Sequence, residues 1–167
     1  LSQYSVLLKL IDPNSDTLKA VEASMGQSDK KNSIFYYPVP GEDLELKEFK
    51  NIGFAHLDGY DIITRHKHKE STIQAYASIG HNLLLEGNVR SSISHFLICK
   101  KLVSENIDSP MLIILDDTWL EKGVWMGKGA TAIPFLIANG YALITNPSAT
   151  GINRLRKYAW GVAFIRP

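Results

Sequence analysis

The chain predicts an α/β domain built on a mainly parallel sheet with helices on both faces, and three observations carry that prediction. Short β-rich apolar runs alternate with segments of helical spacing along most of the 167 residues. Two of those runs end in acidic motifs, Phe54-Ala55-His56-Leu57-Asp58-Gly59-Tyr60-Asp61 and Met111-Leu112-Ile113-Ile114-Leu115-Asp116-Asp117-Thr118. The last two apolar runs are separated only by a loop, which predicts an antiparallel hairpin at one edge of the sheet.

In chain order, Val6 to Ile11 is β-rich and stops at Asp12-Pro13-Asn14, a good turn sequence. Ser15 to Met25 follows as a helix, because Leu18, Val21 and Met25 recur at spacings of three and four. The polar break Gly26 to Asn32 leads to a second strand, Ser33 to Val39, punctuated by Pro40-Gly41. Asp43 to Phe49 is one helical turn or two, and Asn51 to Leu57 is apolar enough for a central strand. A basic loop, Arg65-His66-Lys67-His68-Lys69, comes next. Ser71 to Leu85 and Ser91 to Val103 both have helical spacing, with Glu86-Gly87-Asn88 as the break between them. Met111 to Leu115 is five consecutive apolar residues, the pattern of a strand covered on both faces. Gly127 to Asn139 reads as a helix, and Tyr141 to Thr145 and Trp160 to Ile165 as the closing strands.

Composition narrows the partners. Apolar residues make up 45% and charged residues 21%, the proportions of a globular chain, and 18 basic against 17 acidic residues leave a net charge of +1. Nothing in that balance argues for nucleic acid or an anionic lipid surface. No apolar stretch reaches the ~20 residues of a membrane span and no signal-peptide pattern opens the chain, so a cytoplasmic protein without a membrane partner is expected. The single cysteine, Cys99, lies in the apolar run Phe96-Leu97-Ile98-Cys99 and reads as a buried thiol rather than a nucleophile.

The acidic strand ends are the candidate site. In open α/β sheets ligands bind outside the carboxyl ends of the strands, where carboxylates from two strands can converge. Magnesium takes oxygen ligands and is held by one or two carboxylates, so Asp58, Asp116 and Asp117 form a candidate metal set. An adjacent Asp pair costs repulsion unless a cation or a basic group neutralises it; the plainer reading has one Asp capping the next segment and the other in solvent. Asp12, between a strand and a helix, suits a ribose-binding carboxylate and equally a turn or helix cap. His56 shares a strand face with Asp58, and His66 is a candidate general base; His68, among lysines, reads as a solvated loop residue. Trp125-Met126-Gly127-Lys128-Gly129-Ala130-Thr131 lacks the phosphate-loop spacing, so Gly127 and Gly129 are expected to permit close packing, with Lys128 exposed. Trp119 and Trp125 flank this stretch, as pocket walls or as cover for the sheet's end.

Four pieces in order, Leu10-Ile11-Asp12-Pro13-Asn14, Pro40-Gly41-Glu42-Asp43, His56-Leu57-Asp58-Gly59 and Leu115-Asp116-Asp117-Thr118, resemble class I S-adenosylmethionine-dependent methyltransferases of the metal-dependent O-methyltransferase kind. The resemblance spans most of the chain and implies a single Rossmann-like domain over residues 1–167 that ends in an antiparallel strand. It implies S-adenosylmethionine and magnesium as cofactors and methyl transfer to the hydroxyl of a small-molecule acceptor. Carried over by position, Asp12, Glu42, Asp43 and His56 would face the cofactor, and Asp58, Asp116 and Asp117 would hold the metal. The family's catalytic lysine has no counterpart three residues after Asp58, where Asp61 stands, so the base would be Asp58 or His66. The family's first strand and glycine-rich turn also have no counterpart, and the expectation is an N-terminally incomplete domain or one that has lost half of the cofactor site. A non-catalytic Rossmann-like assembly module, homodimeric across an exposed strand edge, is the alternative from another class. A metal-dependent nucleotide-sugar transferase is the third.

Overall fold

The computed structural model describes residues 7–11, 14–24, 33–37, 39–58, 74, 78, 87–144, 156–157 and 161–167. They fall into two compact units, Leu1–Leu44 and Glu45–Pro167.

In the first unit, strand β1 (Leu7–Ile11), helix α1 (Ser15–Ser24) and strand β2 (Ser33–Tyr37) form a strand-helix-strand crossover. β1 and β2 are parallel, in register from Leu7 opposite Ser33 to Ile11 opposite Tyr37. The helix starts where the turn chemistry said it would: Asn14 Oδ1 accepts the Asp16 N–H at 3.0 Å, satisfying a donor that the first turn cannot pair internally. Leu18 is its buried residue. A 3-10 turn, Gly41–Asp43, closes this unit and a second one, Leu46–Phe49, opens the other, so the Asp43–Phe49 segment is two short turns.

The second unit contains strand β3 (Phe54–Leu57), helix α2 (Gly87–Glu105), strands β4 (Met111–Asp116), β5 (Thr118–Glu121) and β6 (Val124–Gly127), helix α3 (Ala132–Ala138), and strands β7 (Ala142–Leu143), β8 (Arg156–Lys157) and β9 (Gly161–Arg166). The order β3-β4-β9-β7 makes a four-stranded sheet, and β6-β5-β8 a three-stranded one. β3 and β4 are parallel, whereas β9 runs antiparallel to both of its neighbours, β4 and β7. The architecture is therefore α/β with a mixed sheet, which corrects the mainly parallel expectation. The closing strands β7 and β9 do pair antiparallel, but β8 lies between them in the chain, β9 lies inside the sheet, and among the described residues the two-residue β7 forms the edge. β9 can lie inside because its alternate residues Val162 and Phe164, 1% and 0% exposed, belong in the core.

β4 is the centre of the packing. Met111, Ile113 and Leu115 are buried, while Leu112 and Ile114 on the other face are partly covered. Ile93, Leu97, Cys99, Leu102 and Val103 of α2 and Ile133 and Leu136 of α3 supply further core, with Phe96 and Phe135 meeting edge to face at 5.5 Å between centroids. Burial pushes the Cys99 thiol up to about 12, so it stays protonated and inert, as the apolar run implied. No helix among the described residues is long and apolar enough to cross a membrane.

Three further expectations change. β3 has a single strand partner among the described residues and leaves Phe54 exposed, so it is not shown as a central strand. α2 begins at Gly87, inside the predicted Glu86-Gly87-Asn88 break; of the 71–85 segment only Gln74 and Ser78 are described, both helical. The helix predicted over Gly127–Asn139 starts only at Ala132, because 124–127 is the return strand of a β5–β6 hairpin.

Candidate functional site

The carboxyl ends of β3 and β4 lie side by side, Leu57 opposite Leu115, so the residues that follow each strand leave the sheet at the same end. Asp58 follows β3. Asp116 is the last residue of β4, and Asp117 turns the chain into β5 with φ of +43°, a conformation that Asp tolerates better than most residues. The Asp117 N–H donates to Asp116 Oδ1 at 2.8 Å, so Asp116 fixes the turn, and its Oδ2 stands 3.8 Å from His56 Nε2 on β3.

The β5–β6 hairpin then brings a cation back to the turn. Its two central residues, Lys122 and Gly123, have φ of +49° and +82°, the left-handed pair of a two-residue hairpin, and the register sets Thr118 opposite Gly127. Gly127 has φ of +79°, and a Cβ there would lie 2.1 Å from the Asp117 carbonyl oxygen, so only glycine allows this approach. The Lys128 N–H donates to the Asp117 carbonyl at 3.1 Å. Thr118, fully buried, donates from Oγ1 to the Asp116 carbonyl and accepts from the Gly129 N–H, both at 2.8 Å. At Gly129 a Cβ would meet Thr118 Oγ1 at 2.7 Å, so both glycines serve close packing as expected.

The consequence, among the described residues, is an ion triad. Lys128 Nζ lies 2.7 Å from Asp117 Oδ2 and 3.0 Å from Asp58 Oδ1, with its own side chain 4% exposed and those of the carboxylates 45% and 56%. Burial works against the ammonium, but the hydrogen bonds and charges of Asp117 and Asp58 outweigh it and hold its pKa above the ordinary lysine range. Each carboxylate is tied through one oxygen, which leaves each a second one. Two carboxylates this close would repel by roughly 1–3 kcal/mol without the lysine.

α2 closes the site from below. His95 is 1% exposed, and its pKa is lowered to about 4, first by burial and then by the Lys128 charge; Asp58, a hydrogen bond with the Lys128 backbone, and Asp117 pull weakly the other way. It is therefore neutral near pH 7. One turn earlier, Ser92 Oγ lies 2.7 Å from Thr131 Oγ1 and accepts the Thr131 N–H at 3.1 Å, anchoring the turn that carries Lys128 to the helix.

Of the sequence-predicted site residues, Asp58, Asp116, Asp117 and His56 come together at this strand end. Asp12 and His66 lie outside the described residues. Glu42 and Asp43 belong to the first unit, on its 3-10 turn, both buried at 3% and 5% exposure. No family model, no curated protein and no solved structure matches this chain.

Lys128 is the correction that matters: expected in solvent, it is the buried centre of the cluster. His95 and Thr118 were missed altogether. The signal for Lys128 was present in the flanking Gly127 and Gly129, since two glycines around one residue mark a place where backbones meet. The triad also bears on magnesium. Among the described residues no group of three or more His, Cys, Asp or Glu side chains could hold a metal ion. The place between Asp58 and Asp117, where a divalent ion would bridge, is taken by the Lys128 ammonium. The donor set as arranged does not fit the ion that the resemblance implies.

Proposed function

We propose that the carboxyl end of the β3–β4 pair is a group-transfer site, and that the chain carries out S-adenosylmethionine-dependent methyl transfer to the hydroxyl of a small-molecule acceptor. The observation that carries this reading is the convergence of Asp58 and Asp117 from two parallel strands onto one buried lysine, with both carboxylates partly open to solvent. The resemblance in the sequence supplies the donor. The mixed sheet with its antiparallel C-terminal strand is compatible with the Rossmann-like domain that the resemblance implies.

Bound S-adenosylmethionine supplies a methyl group already activated as a sulfonium, so the protein has to hold the acceptor and take one proton. The second oxygen of Asp58 would take the acceptor's hydroxyl proton. Asp117 would accept a hydrogen bond from the acceptor, and Lys128 keeps both carboxylates in place. Within the first unit, β1, which leads into Asp12, and β2, which leads toward Glu42 and Asp43, end side by side at Ile11 and Tyr37. Nucleotide-sugar transfer finds less support, because it needs a divalent ion to hold a diphosphate and the lysine fills that place.

Calorimetric titration of the full chain with S-adenosylhomocysteine tests the reading. Micromolar binding, weakened at least tenfold by Asp12→Ala, is the expected result. No binding to a folded protein would overturn it in favour of a non-catalytic assembly module in which the triad is purely structural.

A further inference from the structure

We infer that Lys128 is the built-in cation of the Asp58–Asp117 pair and that this centre works without a divalent metal. The inference deepens the proposed group-transfer site and rests on that reading for its catalytic meaning, though its metal-binding content stands alone.

Four observations lead to it. Lys128 Nζ is within hydrogen-bond distance of one oxygen of each carboxylate, the bridging position a metal would need. The lysine side chain is 4% exposed, so displacing it would strip a desolvated cation of its Asp58 and Asp117 partners. Its place is set by backbone: the Lys128 N–H is bonded to the Asp117 carbonyl, and Gly127 and Gly129 pack on Asp117 and Thr118 at distances no side chain would tolerate. Finally, Asp116, the remaining carboxylate, is turned toward its own neighbour's N–H and His56 rather than into the pair. A divalent ion entering here would find two half-neutralised carboxylates and a fixed positive charge within a few ångströms, whereas magnesium demands several oxygen ligands in near-octahedral order.

Manganese binding to the full chain, read by electron paramagnetic resonance, gives the test. Wild-type protein is expected to leave manganese free at equimolar, submillimolar concentration, while Lys128→Ala, which removes the charge and opens the space, binds one ion at least about tenfold more tightly. Asp117→Asn in the Lys128→Ala background should abolish that gain. Lys128→Met, nearly isosteric, gives the same comparison if Lys128→Ala does not fold. Wild-type binding of manganese that Asp117→Asn removes would overturn the inference, as would the lack of any gain in a folded lysine variant. S-adenosylhomocysteine titration with and without EDTA separates the two proposals. Binding that survives EDTA supports both; binding only with metal overturns this inference and keeps methyl transfer. Failure to bind under both conditions overturns methyl transfer and leaves the manganese result to decide the lysine's role.

Discussion

At the amino end of the β3–β4 pair, a buried neutral side chain bonds to the segments around it. Asn106 is 3% exposed; its Nδ2 donates to the Phe49 and Leu102 carbonyls at 2.7 and 2.8 Å, and its Oδ1 accepts the Ile52 N–H at 3.0 Å. Arg166 donates to its backbone carbonyl. At the carboxyl end the joining group is Lys128, equally buried, but its partners are carboxylates that remain about half exposed. The Asn106 side chain pairs three backbone groups at or near the interior, which favours stability. Lys128 holds charges at a solvent boundary, where they cost desolvation and repulsion and can meet a ligand. Similar burial at the two ends serves a neutral knot in one and a charged, ligand-facing triad in the other.

The comparison can be broken most severely at Gly127. Gly127→Ala sets a methyl group against the Asp117 carbonyl in a left-handed backbone, with an expected loss of about 4 kcal/mol in urea unfolding. It should also release Lys128 from Asp117. Asn106→Ala should cost about 3 kcal/mol by the same measurement, since two buried backbone groups and one part-buried group lose a partner, yet leave S-adenosylhomocysteine affinity unchanged at temperatures where the variant is folded.

The two ends should also differ in their response to acid. His95, under Lys128, has its folded pKa lowered from 6.5 to about 4, so the unfolded chain binds the proton first. The stability linked to that neutral imidazole is complete above pH 6.5 and is lost as pH falls from 6.5 toward 4, on the order of 3 kcal/mol. His95→Gln should flatten the pH dependence of urea midpoints in this window, and Asn106→Ala should not. The smallest effect belongs to the hairpin that delivers Lys128. Lys122 holds φ of +49° where asparagine is preferred, so Lys122→Asn should raise stability by about 0.5–1 kcal/mol, seen as a higher melting temperature.

These ends were not equally readable in the sequence. Asp58 and Asp117 were evident because each closes an apolar run, and the position of a strand end follows from hydrophobic pattern alone. β1, α1 and β2 were found for the same reason, helped by the Asp12-Pro13-Asn14 turn sequence. Lys128 was missed because exposure is the usual state of lysine, and the fact that reverses it is a hairpin whose turn, Lys122-Gly123, lacks the Asn or Asp of the commonest signal. Without that hairpin, Gly127 looked like a helix start. Asn106 was not singled out, since its three partners come from two elements 50 or more residues away in the chain and from its own helix. The place of β9 inside the sheet was equally hidden: alternation marks a strand, whereas strand order depends on pairings that the local pattern does not encode.

The arrangement at the centre of the site is a lysine ammonium between two carboxylates that a metal would otherwise join. A crystal structure of the full chain grown in millimolar manganese chloride, with anomalous data collected near the manganese edge, addresses it directly. The expected density shows Lys128 Nζ on Asp58 and Asp117 and no anomalous peak between them. A manganese ion bridging the two carboxylates, with Lys128 swung aside, would contradict it.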